Sequence, residues 1–202
     1  MTDEWSPSPS FSIPTDRLHI SYFQVDNPEH SDFLVRLWNT DDFIKSCGNT
    51  GLDTREKAAA FIKNRVHNDY QRNKHGQFLV SLKPHPDASL EESRLIGVVS
   101  LMKPPNAYHA PDIGYTILPE ESGKGYATEA SLGLLDYARR ELGINDVFGF
   151  CGHDDARSAR VLQKIGLQFR GNRKMRVFGG AHSAIYAWPH MSQDLTVYGI
   201  DD

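Results

Sequence analysis

The sequence predicts an α/β fold, with strands and amphipathic helices alternating along 202 residues. Three observations carry that expectation. Short runs rich in β-branched and aromatic residues recur at 17–23, 77–83, 94–103, 112–118 and 145–151. Between them, apolar residues fall at helical spacing behind capping residues. No internal repeat and no change of composition divides the chain, so one domain over 14–190 is expected, with a lead-in at 1–13 and a tail at 191–202.

Taken in order, Met1 to Ile13 is polar and rich in Ser and Pro, which favours an unfolded lead-in. Leu18, Ile20 and Tyr22 alternate with polar residues in the first strand. Asn27-Pro28 is a helix start, a capping side chain followed by proline at the first helical position, and Phe33, Leu34, Leu37 and Trp38 form its apolar stripe. Asn39 to Leu52 reads as a polar loop. A second helix is expected over 53–76, capped by Asp53 and burying Ala58, Phe61, Ile62, Val66 and Tyr70. Pro84 to Ser93 connects two strands, and Pro104 to Pro111 is a loop holding Tyr108 and His109. Gly143 ends the helix that begins at Gly125. Strands at 167–177 and 183–190 close the domain around Phe178-Gly179-Gly180.

Composition excludes several classes of function. A net charge of −4 leaves no electrostatic footprint of a nucleic-acid binder. No apolar run approaches the roughly 20 residues that span a bilayer, and no secretory signal opens the chain. Cys47 and Cys151 are the two cysteines, too few for a disulfide framework or a metal cluster, so a reducing compartment such as the cytoplasm is expected, and no metal.

The most informative stretch is Asp112 to Gly143. Pro119 ends a strand, Gly123 and Gly125 bracket Lys124, and Tyr126, Ala130, Leu134, Tyr137 and Leu142 then recur at helical spacing. Such a turn leaves N–H groups unpaired at a helix start, where glycines permit close approach and the helix dipole favours an anion. Lys124 adds a positive charge, and the simplest ligand is a phosphate or pyrophosphate. Two known phosphate loops do not fit. Gly125 is followed by Tyr126 rather than Lys, against a P-loop, and Thr128 stands where a dinucleotide fingerprint needs glycine or alanine.

Pro119-Glu120-Glu121-Ser122-Gly123-Lys124-Gly125-Tyr126-Ala127-Thr128-Glu129-Ala130 resembles the acyl-CoA loop of the GCN5-related N-acetyltransferases. Within them it is most similar to the group typified by ribosomal-protein N-terminal acetyltransferases, as is Thr15-Asp16-Arg17-Leu18 near the start. Glu120 stands where the wider superfamily has Gln or Arg. A second stretch, Asp155 to Gly166, reads by itself as a helix capped by Asp155 that buries Val161, Leu162 and Ile165. It too resembles this group, which shows Asn-x-x-Ser-x-x-Val-Leu-x-Lys-x-Gly-Phe there, with Ser158, Val161, Leu162, Lys164 and Gly166 in register. Asp155 replaces an Asn that touches the pantetheine arm, and Leu167 replaces Phe; an Asp side chain has no amide N–H to donate.

The resemblance implies a mixed, mostly antiparallel sheet of about seven strands, splayed in the middle and flanked by about four helices. It implies acetyl-CoA as cosubstrate, an amine acceptor and a monomer or homodimer. Cofactor contacts then fall on Ile117, Leu118, Ser122, Gly123, Lys124, Gly125, Tyr126, Ala127, Thr128, Asp155, Ser158 and Lys164, with backbone N–H groups near Ile117 and Leu118 polarising the thioester. The segment between the first two helices would line the acceptor side. Ser158 is the candidate acid for the departing thiolate, with a plain capping or contact role as the alternative. Asp112 leads the candidate bases, ahead of Tyr108, His109, Glu120 and His153. The strand after the second motif is basic, with Arg170, Arg173, Lys174 and Arg176, which weakens a direct transfer of the ribosomal-protein activity. A non-catalytic acyl-CoA sensor with the same fold is the competing reading.

Overall fold

The computed structural model describes residues 6–105 and 107–200. Eight strands form one sheet in the order β1-β2-β3-β4-β5-β6-β8-β7. They are β1 (Ile13–Pro14), β2 (Leu18–Tyr22), β3 (Gln77–Leu82), β4 (Arg94–Met102), β5 (Asp112–Ile117), β6 (Phe148–Gly152), β7 (Gln168–Met175) and β8 (Ala181–Ala187). Every neighbouring pair is antiparallel except β5 with β6. The short β1 is the strand beyond the seven expected.

The helices are α1 (Pro28–Trp38), α2 (Asp41–Cys47), α3 (Arg55–Phe61), α4 (His67–Asn73), α5 (Tyr126–Glu141) and α6 (Ala156–Lys164). The single helix expected over 53–76 is α3 and α4 joined by a π-helical segment, Ile62–Val66, and its cap is Thr54 rather than Asp53. Asp53 instead accepts from the Lys57 ammonium at 2.7 Å. The loop expected at 39–52 contains α2. It is seven residues long and buries one side chain, Phe43, so it has no apolar period to read. Thr40 caps it by accepting from the Phe43 N–H.

The larger core lies between the sheet and its helices, with α5 packed on β2, β4 and β5. A smaller core gathers Tyr108, Phe148, Ile185, Met191, Leu195 and Ile200, which gives the expected tail a packed place as far as Ile200. The expectation of an unfolded lead-in is corrected at Phe11 and Ile13, while 1–5 lie outside the described residues. Phe11 packs on Tyr22 and Tyr137, with ring centroids 4.7 and 5.4 Å away, and Ile13–Pro14 pairs with β2.

The close pairing of β4 with β5 depends on Gly97. A Cβ there would lie 2.5 Å from the Thr116 carbonyl oxygen and 2.5 Å from Ile117 Cδ1. A carbonyl held in a ladder cannot yield as a side chain can. Gly97→Ala should therefore lower stability by about 1–3 kcal/mol, read as a lower denaturation midpoint in urea; an unchanged midpoint would show that the ladder yields.

Candidate active site

The site begins where the sheet comes apart. β5 and β6 pair in parallel at Asp112–Phe148 and Ile113–Gly149, and the register goes no further. Beyond that point each strand is held by its other neighbour, β5 by β4 up to Ile117 and β6 by β8 up to Gly152. The Leu118 N–H donates to the Ile96 carbonyl at 2.8 Å. Antiparallel alternation then turns the polar backbone of Leu118, Thr116 and Gly114 toward β4, and that of Ile117 and Tyr115 toward the gap. The expected pair of donors is thus corrected in one member. Ile117 faces the gap, Leu118 is committed to β4 and buried in the core, and Tyr115 is the residue the motif reading missed. Strand alternation, with the side on which β4 lies, is the signal that would have found it.

A cleft of about 850 Å³ fills the gap and runs out past the turn before α5. Gly123 and Gly125 both adopt left-handed backbone, with φ of 79° and 85°. Gly125 caps α5 with no side-chain hydrogen bond. Among the described residues, none of the backbone N–H groups from Gly123 to Thr128 donates to the protein. A Cβ on Gly123 would meet nothing within 4 Å, so the space over the turn is open. Unpaired donors around an open volume at a helix N-terminus make an anion cradle.

Arg17 holds the turn in this shape. It donates from Nη1 to the Lys124 carbonyl at 3.1 Å, pairs with Glu129 at 2.6 Å and lies 4.6 Å over the Tyr126 ring. Glu129 also accepts from Thr15 Oγ1 at 2.6 Å and the Arg17 N–H at 2.8 Å. The opening motif and the glycine motif, more than a hundred residues apart, are thus one structural unit.

The expectation of a mobile charge at Lys124 is corrected. Its ammonium lies 2.8 Å from Glu121, whose other oxygen accepts from Arg94 at 2.6 Å. Hydrogen bonds from Lys124 and Arg94 hold the Glu121 carboxyl below its usual range. Ser122, Ala127 and Thr128 line the cleft with the two glycines. Glu120 turns away and pairs with Arg36 of α1 at 2.5 Å.

Across the gap stands α6. Asp155 caps it, accepting from the N–H groups of Arg157 at 3.1 Å and Ser158 at 3.0 Å and from Ser158 Oγ at 2.7 Å. Burial raises the Asp155 pKa, but these hydrogen bonds outweigh it and the carboxyl stays below its ordinary value. The Ser158 hydroxyl therefore rests as a donor to Asp155. Tyr115 donates to the Ser158 carbonyl at 2.8 Å, fixing α6 to β5 across the opening. Cys151 also lines the cleft, and burial followed by the nearby Asp155 charge pushes its thiol up to about 11. Lys164 reaches the same wall, together with Arg160, which the motif did not mark. On the far side α2 contributes Thr40, Asp42, Phe43 and Cys47 beside Trp38, and Arg157 pairs with Asp42 at 3.1 Å.

Asp112 is not brought to this cleft. It sits where β5 and β6 still pair, with its carboxyl accepting a hydrogen bond from the Tyr108 hydroxyl. Phe150 lies between them and the site, lining the cleft and packing 5.2 Å from the Tyr108 ring. Tyr108, His109, Glu120 and His153 do not line it either. No group of three or more His, Cys, Asp or Glu among the described residues could hold a metal ion.

A mixed sheet splayed at its one parallel pair, with an N–H cradle at the mouth of the gap, is the architecture of the GCN5-related N-acetyltransferases. The profile of the Acetyltransferase (GNAT) domain matches residues 18–168, and the chain belongs to that family. Over 159 residues it is 27% identical to the uncharacterized N-acetyltransferase YnaD of Bacillus subtilis, covering 79% of this chain and 84% of YnaD. Among solved structures it is similar in fold to the microcin C7 self-immunity acetyltransferase MccE in complex with acetyl-CoA and AMP. The TM-score is 0.70 at 22% identity, over 90% of this chain and 97% of that one. RimL, the ribosomal L7/L12 α-N-protein acetyltransferase in complex with coenzyme A, gives 0.68 at 18% identity, over 88% and 97%. The chain is accordingly an N-acetyltransferase.

The position of Asp112 has a thermodynamic consequence. Burial raises its pKa to about 7, against the lowering effect of the Tyr108 hydrogen bond. The folded state thus holds the proton more tightly than the unfolded chain, and the stability this adds is complete below the ordinary carboxyl value of 3.8 and lost as pH rises through about 7. Asp112→Asn should flatten the profile, and between pH 5 and pH 8 wild type should lose on the order of 2–3 kcal/mol more than the variant. Thermal melts across that range check it; parallel profiles would place the titration elsewhere.

Proposed function

We propose that this chain is an acetyl-CoA-dependent N-acetyltransferase that passes the acetyl group to a primary amine by direct attack in a ternary complex. The acceptor classes are a small amine, an amino acid or a peptide or protein N-terminus. The carrying observation is the run of unpartnered N–H groups from Gly123 to Thr128 at the mouth of a gap whose walls carry further unpaired backbone. Those donors suit a pyrophosphate, and the open strand edges suit an extended amide-bearing arm. The coenzyme complexes of MccE and RimL, at the same fold, support the reading. A reducing, cytoplasmic setting fits the two free thiols, and no described helix is long and apolar enough to cross a membrane.

Bound acetyl-CoA supplies an electrophilic thioester carbonyl. The residues of this chain then orient and stabilise. The cradle fixes the nucleotide end, and the gap-facing backbone of Tyr115 and Ile117 takes the pantetheine arm as an added strand, with an N–H free for the carbonyl oxygen. The α2 wall, with Trp38 and Phe43 stacked at 5.1 Å, shapes the acceptor side and narrows access for water. The carboxylates lining the cleft, Asp42, Glu121 and Asp155, are all engaged by hydrogen bonds or ion pairs. Deprotonation of the incoming ammonium is therefore assigned to solvent. Ser158, which lines the cleft, is the proposed donor to the sulfur. Its hydroxyl must turn from Asp155 to meet the departing thiolate, and Asp155 keeps the helix capped meanwhile.

A thiol-release assay against amines, amino acids and peptides tests the reading. Turnover with at least one acceptor is expected, whereas tight acetyl-CoA binding without turnover across the panel would favour an acyl-CoA sensor. Gly125→Val forces a branched side chain into left-handed backbone and disturbs the cradle. It should weaken coenzyme A binding more than tenfold by calorimetry in a protein that still melts cooperatively, and undiminished affinity would remove the cradle from the site.

Ser158→Ala discriminates between acid and cap. If the hydroxyl serves the leaving thiolate, kcat falls about tenfold to a hundredfold while acetyl-CoA Kd changes little. Loss confined to affinity or melting temperature, at normal kcat, would leave Ser158 a cap or a contact.

A further inference from the structure

We propose that the β7–β8 hairpin docks an acidic, extended polypeptide along the free edge of β7, and that this polypeptide brings the acceptor amine to the cleft. The docking stands on the hairpin itself, while the transfer rests on the acyl-CoA reading above. β7 is the last strand of the sheet and pairs with β8 alone, so its outer backbone has no strand partner. Residues 168–187 carry Arg170, Arg173, Lys174 and Arg176 and no acid, in a chain whose 26 acidic residues outnumber its 22 Lys and Arg. Arg170 is held by the Trp188 carbonyl at 2.7 Å. Lys174 and Arg176 are exposed, with no hydrogen-bond or ion-pair partner among the described residues.

Cations alone would make a solvated face, and Lys or Arg on an edge strand is a common guard against unwanted pairing. The apolar residues decide against that reading. Phe169, Val177 and Phe178 are 52%, 41% and 39% exposed on this one hairpin. The other large exposed apolar side chains, Ile44, Leu132 and Val197, are scattered over three elements. A guarded edge has no use for such a strip, whereas a strand-docking site needs backbone, charge and apolar contact together. The bulge does not block it, because the register shift lies between Phe169 and Gly171 and the ladder is regular from Gly171 to Met175. A second copy of β7 would set these cations against their own kind. The occupant is therefore an acidic chain with apolar residues between its acids.

Position ties the hairpin to the cleft. Gly152, at the end of β6, lies opposite Ser183, which lies opposite Arg173. The hairpin runs on through the pairs Lys174–His182 and Met175–Ala181 to its tip, so Lys174 and Arg176 overhang the open end of the gap. At the tip Phe178 packs 5.4 Å from Phe150, which lines the cleft. A strand added outside β7 would stand three strand spacings from β6, roughly 15 Å, which about five extended residues span. The acids of the acceptor are expected beyond about its fifth residue.

The test uses peptides that share their N-terminal residues and differ only beyond about the fifth, where the tail is acidic and apolar, neutral or basic. Thiol release is the readout. In wild type the acidic peptide should show a KM about tenfold below the neutral one at similar kcat, and raised salt should narrow the gap. The double variant Lys174→Glu/Arg176→Glu should lose that preference and turn toward the basic peptide, with the neutral peptide's kcat unchanged and a cooperative melt. Methylating alternate amides of the acidic tail should raise its KM, and an unaffected KM would overturn the strand pairing. Equal KM for all three tails in wild type, or a preference that survives in the double variant, would overturn the docking site and leave the acyltransferase reading in place. If no acceptor is acetylated, that reading falls and fluorescence anisotropy with the labelled acidic peptide judges the hairpin by itself. Binding lost in the double variant upholds the site, and no binding in wild type overturns it.

Discussion

The parallel contact between β5 and β6 is the constraint on which the rest of the molecule depends, because it stops after two residue pairs. A strand edge inside a sheet normally finds a partner, since an unpaired buried amide costs more than a made one returns. Here both strands have full partners on their outer sides, so neither gains by closing over the other. The open edges are fixed by β4 and β8, and by the Tyr115 hydroxyl on the α6 backbone. A wedge of unsatisfied backbone is thereby built into the middle of a stable sheet. That wedge is what the proposed function fills, since a pantetheine arm is extended and carries amides of its own.

Both helices that follow these strands begin at the open end of the wedge, and their N-termini are used differently. α6 is closed by Asp155, which satisfies two N–H groups and the Ser158 hydroxyl. α5 begins at a glycine in left-handed backbone and is left uncapped. The uncapped terminus is costly to the free protein and is held by Arg17 and Glu129 acting from outside the turn. One helix start is thus consumed in stability, and the other is left open. Charge is also consumed locally: Lys124 and Arg94 are both paired with Glu121.

Legibility followed the range of the interactions. The glycine turn, the α5 stripe and the Asp155 cap are set by residues within a few positions of one another, and all were readable with their boundaries nearly in place. The α2 wall was not, because seven residues with one buried side chain carry no period. Leu118 was assigned to the cofactor and Tyr115 overlooked because a motif names positions, whereas a strand's hydrogen bonds go to one side or the other by alternation. Asp112 is a carboxylate at the start of the strand that leads into the glycine turn, which makes it a candidate base by position in the chain. Its carboxyl proved to face Tyr108 behind Phe150, which no local pattern records.

By itself the sequence determined the alternation of strands and helices, the glycine turn at Gly123–Gly125 that opens α5 and, by resemblance, the family. Those follow from backbone preferences and spacing, which act within a few residues. Tertiary structure alone decided which edge of β5 is free, that Arg17 reaches across to the turn before α5, and that Glu121 is shared between Lys124 and Arg94. Each of these is a pairing between residues far apart in the chain. Hydrogen bonds and ion pairs of that kind depend on where other elements come to rest, a distance that sequence spacing does not measure.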